Sequence, residues 1–312
     1  MLKSAGRFIF IPMTTKFPKG FLTPQEHITL LKNRGLLFEG KEQKAETYLK
    51  NIGYYRLSAY FYPLLQTPKE QHIFKQGSSF RNVMNMYRFD RKFRVLVFNE
   101  IEKIEVAFRS CITNMASEAF NDIFWMTDPQ YFADTEKFNS SMAAINSELD
   151  KTKEDFIKHF KTSYSDPYPP SWMIAEILPF GNLRYIYDNL KSSSLKKQIA
   201  QYFGLQPKVF FSWLIVLGGL RNICCHHSRA WNRILPVITQ NPQKTSFGWI
   251  DITQTDNRRM YYRLCMIKYL LFTISPNNTF KYKLKDLIAA YPTIDIKAMG
   301  FPENWDNEPV WR

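Results

Sequence analysis

Residues 80 to 119 carry Phe89, Phe93, Leu96, Ile101, Ile104 and Phe108 at spacings of three to five, and no other feature limits the fold of this chain as much. At 3.6 residues per turn that spacing draws one apolar stripe along one long helix, a scaffold for shorter ones. Ser79 stands at its N-cap. Helical periodicity dominates elsewhere too. Thr23 with Pro24 starts a helix through Ile28, Leu30 and Leu31 that stops near Gly35, and another runs from about Lys41 to Asn51 and ends at Gly53. The aromatic cluster Tyr54, Tyr55, Tyr60, Phe61 and Tyr62 leads into a polar segment, Gln66 to Ser79, read as a short hairpin around His72 to Phe74 or as plain loop.

Beyond the scaffold, Phe138 to Phe160 reads as one helix, and Pro167-Tyr168-Pro169-Pro170 is a rigid break. Ser171 then caps Trp172 to Leu178, Pro179 and Gly181 interrupt, and helix resumes through Leu190. Leu195 to Phe203 ends at Gly204, Pro207 opens the next helix, and Arg258 to Phe272 forms another. From Leu284 the tail holds one weak helix, and Pro302 to Arg312 is largely irregular. The expected fold class is all-α, with a ragged leader over 1–20, an N-terminal helical extension over 21–78, a helical core over 79–275 and a C-terminal tail over 276–312.

At 312 residues, with 45% hydrophobic and 22% charged, the chain buries a substantial core, which excludes disorder. Its 42 Lys and Arg against 28 Asp and Glu leave +14, a balance that favours a polyanionic partner: RNA, DNA or an anionic membrane. Four cysteines, two of them adjacent at Cys224 and Cys225, make no disulfide framework, and no Cys-x-x-Cys or His-x-x-x-His pair suggests zinc. A reducing cytosol is the simple reading. The apolar run Phe8 to Met13 is too short for a signal peptide and ends at proline, Met13 is a candidate start, and nothing elsewhere approaches the ~18 apolar residues that span a bilayer.

The chemistry concentrates in Arg221-Asn222-Ile223-Cys224-Cys225-His226-His227-Ser228-Arg229-Ala230-Trp231-Asn232-Arg233. Read as continuous helix at ~100° per residue, with Arg221 at zero, Cys225 falls at ~40°, Arg229 at ~80°, Asn222 at ~100°, Arg233 at ~120° and His226 at ~140°. His227, Ala230 and Trp231 project to the packing side with Leu217 and Leu220. An imidazole moves protons near neutral pH, and a guanidinium offers phosphate a permanent planar charge. His226 is therefore the candidate general acid or base on a 2′-hydroxyl or a leaving 5′-oxygen. Arg221 would hold the charge that builds on phosphorus, and Asn222 would orient the imidazole. The scheme needs no metal and no cofactor.

Arg-Asn-x-x-x-His also resembles the Arg-x(4 to 6)-His signature of HEPN domains, all-helical modules of which many are metal-independent ribonucleases acting as dimers. The wider pattern is similar to the Abi-like abortive-infection proteins of the AbiD/AbiF group. It comprises Gly53-Tyr54-Tyr55-Arg56-Leu57-Ser58, Phe89-Asp90-Arg91-Lys92-Phe93-Arg94, Glu102 to Arg109, Trp172 to Leu183 with Glu176, Leu220 to Arg233, and Met299 to Trp305. Cys225 stands where that family commonly has alanine, and Ala230 where it has leucine. The earlier Arg109 is followed five residues on by Asn114, so the chain holds one complete motif.

The resemblance implies a HEPN-like bundle and an endoribonuclease working as a homodimer in antiviral defence with a toxin-like, growth-arresting effect; with the internal 2′-oxygen as the nearest nucleophile, its products would end in 2′,3′-cyclic phosphate. The rival reading is a non-catalytic protein that binds a structured small noncoding RNA; a protein-interaction scaffold comes third. Arg229 and Arg233 are candidates for phosphate contact or salt bridges, His227 for a structural role, and Glu105 with Arg109 for an ion pair one turn apart or, with Glu102, for the rim of the site. Glu176 is a candidate partner for Arg221 or Arg229. Trp172, Trp213 and Trp231 are base-stacking candidates, although aromatics at helical spacing are usually core. His27, His72 and His159 are isolated.

Overall fold

The computed structural model describes residues 20–312, so the expected leader and Met13 lie outside the described residues, Gly20 excepted. Twelve α-helices and no strand occur among them, which is the expected all-α class. The described residues divide into two compact units that part between Met84 and Asn85.

In the first unit the capping signal works as written. Helix α1, Pro24–Asn33, begins at Thr23, whose Oγ1 accepts the Glu26 amide at 3.2 Å while the Glu26 carboxylate accepts the Thr23 amide at 2.6 Å. Such a cap is worth about 0.5–2 kcal/mol. Helix α2, Glu42–Ile52, stops at Gly53, whose φ of 89° few other residues adopt. The aromatic cluster is itself a helix, α3, Tyr54–Phe61, because Leu57, Tyr60 and Phe61 fall on one buried face. The hairpin around His72 shrinks to one isolated bridge between Leu65 and Phe74. Pro63 and Pro68 on its first arm lack the N–H groups a ladder needs.

Helix α4, Phe80–Phe120, is the scaffold, with Ser79 Oγ accepting the Asn82 amide at 3.3 Å. Its stripe is Phe89, Phe93, Val97, Ile101, Ile104, Phe108, Ile112 and Ala116, all buried; Val97 takes the place expected for Leu96. In the second unit the expected single helix over 138–160 is two, α5 (Thr135–Lys151) and α6 (Asp155–Ser163). The break holds neither Gly nor Pro. Instead Lys161 Nζ donates back to the Leu149 carbonyl at 2.8 Å, which closes the turn that buries Ile157 and Phe160.

Helices α7 (Ser171–Ile177) and α8 (Phe180–Asn189) follow the proline break. Ser171 is not the cap expected of it: it is buried, and its hydroxyl accepts the Met126 amide at 3.1 Å. Helix α9, Ser193–Tyr202, is capped by Ser192 and leads to α10, Pro207–Cys225. Phe108 of α4 joins them by meeting the rings of Phe180, Tyr187 and Phe210 edge-on at 5.8–5.9 Å. Burying one Phe is worth about 1.5–3 kcal/mol, and each such ring pair about 0.5–1.5 kcal/mol more.

Two helices complete the unit, α11 (Met260–Ile274) and α12 (Phe280–Ala289). Met260 to Leu271 are buried on every side, as in a helix that runs through the middle of a core. Even Arg263 is inside. Its Nη1 donates to Thr239 Oγ1 at 2.9 Å and its Nη2 to the Val237 carbonyl, and burial pulls its pKa down to about 10. These bonds fasten the irregular chain between α10 and α11 to the core, helped by Trp213 Nε1 donating to the Gln240 carbonyl at 3.1 Å. The tail after α12 is short 3-10 turns, yet Trp305, Val310 and Trp311 are buried, with Trp311 against Tyr261 and Phe280.

At 19 residues and mean hydropathy 1.4, α10 alone among the described residues is long and apolar enough to cross a bilayer, which corrects the expectation that nothing approached that limit. Its Val209, Phe210, Trp213, Leu214, Val216, Leu217 and Leu220 are buried against the unit's own helices.

Candidate functional site

The motif helix is shorter than expected. α10 ends at Cys225, so the continuous helical face drawn through Arg233 does not exist. The end is a two-bond C-cap: the Ser228 amide donates to the Ile223 carbonyl at 3.0 Å and the His227 amide to the Cys224 carbonyl at 3.2 Å. Glycine usually fills the left-handed position of that cap. Here it is His227, with φ 57°, a conformation disfavoured by roughly 1–2 kcal/mol for a residue with a Cβ. His227 is exposed and does not face the core, as a helical reading required.

A buried carboxylate sets this end. Asp90 of α4, fully inside, accepts the Ala230 amide at 3.1 Å and the Trp231 amide at 2.6 Å, and pairs with Arg94 one turn along its own helix. Trp231 packs inside beside it, its Nε1 donating to the Asp295 carbonyl at 3.4 Å. Continuing α10 would withdraw both amides from Asp90. Arg229 and Arg233 consequently sit half-buried on the irregular segment and not on the helix with Arg221.

Arg221 and Asn222 lie in the last turns of α10, and His226 is its C-cap. Asn222 and His226 are exposed, and the His226 amide still closes a helical bond to the Asn222 carbonyl at 2.9 Å. The Asn222 side chain turns the other way from its expected role: its Oδ1 accepts from Arg221 Nη1 at 3.4 Å. Arg221 Nε lies 3.4 Å from Glu105 Oε1 on α4, with the Arg221 side chain 40% exposed and that of Glu105 only 14%. The guanidinium is therefore flanked by Glu105 at Nε and by Asn222 at Nη1, with the side chain still 40% exposed.

Glu105 thus pairs with Arg221 and not with Arg109. Arg109 Nη1 donates to the Leu178 carbonyl at 2.9 Å; burial lowers its pKa, opposed by the charges of Glu176 and Glu105. Glu176, exposed on α7, attracts Arg109. For Glu105, burial outweighs the attraction of Arg221 and Arg109 and raises its pKa. Asn114 is exposed, and its amide donates to Ser110 Oγ at 3.3 Å. Burial pushes the Cys224 thiol up to about 12, which removes it as a nucleophile at neutral pH. Trp213 and Trp231 are core; Trp172 alone of the three candidate stacking tryptophans is exposed. Among the described residues no group of three or more His, Cys, Asp or Glu is placed to hold a metal ion.

Asp90, paired with Arg94, makes contacts at this site that sequence spacing alone does not predict. Asp90 and Arg94 stand one turn apart beside Phe89 and Phe93, a charge pair inside an apolar stripe, and that was the available signal. Nothing in the sequence pairs Glu105 with Arg221.

Fold and site together define an all-α protein that presents Arg, Asn and His at the exposed end of an otherwise buried helix. A family model described as Abi-like protein matches residues 47–232, a span that takes in α3 to α10, Glu105, Asp90 and the whole motif through Asn232. The chain belongs to the Abi-like protein family, and so to the abortive-infection class. No curated protein and no solved structure matches it.

Proposed function

We propose that the chain is a HEPN-type, metal-independent endoribonuclease, and that this activity is its abortive-infection effect. The observation that carries the reading is the end of α10, where Arg221 and His226 stand five residues apart, one anchored by Glu105 and the other exposed. In the reaction the 2′-oxygen forms a bond to phosphorus and the bond to the 5′-oxygen breaks. The 2′-proton leaves to a base and the 5′-oxygen gains one, so a 2′,3′-cyclic phosphate and a 5′-hydroxyl result. His226 performs one of the two proton transfers, and Arg221 stabilises the charge on the phosphoryl oxygens. The net charge of +14 supports RNA as the partner.

The test is purified protein with total RNA in EDTA, followed by end-group analysis. Cleavage is expected to survive the chelator and to leave cyclic phosphate ends. Activity lost in EDTA and restored by Mg²⁺ would exclude the metal-independent scheme, and binding without cutting would favour the RNA-binding reading.

The single complete motif supports a homodimer in which each site draws its second proton-transfer group from the partner. Val95, Phe98 and Val106 lie on one exposed stripe of α4, the helix that carries Glu105, and supply an apolar face for a second copy. Mixing wild-type chains with His226→Ala chains should then make activity follow the square of the wild-type fraction, since heterodimers are dead. A linear dependence would mean independent sites.

A further inference from the structure

We propose that Glu105 is a positioning residue for Arg221: its carboxylate holds the Nε edge of the guanidinium and so sets how the rest of the group meets phosphate. The mechanistic half of this rests on the ribonuclease reading; the clamp itself does not.

Three features support it. The contact joins two helices that are far apart in sequence, at 3.4 Å, and the carboxylate is far more buried than its partner. Neither Arg221 Nε nor Glu105 Oε1 has a hydrogen-bond partner, so the pair is an electrostatic contact and not an aligned bond that could serve as a strong structural link. The charges that face Glu105 come from two helices: Arg221 from α10 and Arg109 from α4 attract it, Glu102 from α4 repels it, and Glu176 from α7 acts on Arg109. Burial leaves its ionised form disfavoured in spite of both cations. A carboxylate that served stability alone would gain from being neutral.

The sign follows from that burial. A group whose folded-state pKa is raised contributes stability that is fully present below its unfolded pKa and is lost as pH rises through the folded one. Glutamine imitates the protonated side chain at every pH. Glu105→Gln should therefore melt at or above the wild-type temperature near neutrality, with the difference growing from acid to neutral pH. Its kcat should fall by as much as about 100-fold with KM little changed, since a misaimed transition-state contact lowers kcat and kcat/KM together. The ¹⁵N order parameter of the Arg221 Nε–H group, assigned with Arg221→Lys, should also drop as the guanidinium loses its anchor at Nε.

A Glu105→Gln protein with unchanged Nε order, or with wild-type kcat, would overturn the proposal, and so would one that loses stability and activity in step. If the wild-type chain cuts no RNA at all, the ribonuclease reading fails. The Nε order parameter and the melting curves still decide the clamp.

Discussion

RNA cleavage should fall by about 10²–10⁴-fold in His226→Ala, the range a positioned general acid or base contributes. His226 is exposed and its amide bond to Asn222 survives truncation, so the folded state should be disturbed by no more than roughly 0.5 kcal/mol. Loss of rate at unchanged melting temperature is the signature to measure. Arg221→Ala should cost about 10²–10³-fold, as removal of one transition-state donor does. It also strands the buried Glu105 carboxylate, so its stability must be followed separately. Arg221→Lys separates the two effects, because lysine keeps the charge but not the planar fork. The double variant should be little worse than the poorer single one if the two groups act as a unit. Wild-type rates in a folded His226→Ala protein would remove the imidazole from the chemistry.

Asp90→Ala should destabilise the second unit by about 3–5 kcal/mol, the usual penalty for breaking one half of a buried ion pair. Arg94 would be left as an uncompensated buried cation, and the Ala230 and Trp231 amides would lose their acceptor. Against a typical total of about 5–15 kcal/mol, that is enough to shift a denaturation midpoint plainly. Asp90→Asn keeps one acceptor oxygen and should fall between the two. Hydrogen exchange at Ala230 and Trp231 and the fluorescence of Trp231 locate the damage after the motif. A midpoint equal to wild-type would show that other contacts fix the end of α10.

These two experiments probe different layers of the same segment, and the sequence made the layers unequally visible. Local signals were easy to read because their physics is local: Thr23, Pro24 and Glu26 make a capping box within four residues, and Pro207 opens α10 with a nitrogen that has no N–H to waste. The stripe on α4 was legible for the same reason, since one face needs only spacing. The break between α5 and α6 was hidden because no Gly or Pro marks it. It comes from where Ile157 and Phe160 must go. The tail gave too little periodicity to announce that Trp305 and Trp311 complete the core around Tyr261.

By itself the sequence determined that the chain is helical, where α10 starts, and which residue types crowd its end; Asn222 and His226 are one turn apart, and Arg221 adjoins Asn222, whatever surrounds them. Only the tertiary structure decided where that helix stops and what holds its arginine. Asp90 lies 140 residues before Ala230, and its buried charge takes the amides that further helix would have used, which moves Arg229 and Arg233 off the helical face. Glu105 reaches Arg221 across a helix interface for the same reason: charges that leave water must find partners in space, and spacing along the chain does not encode which ones.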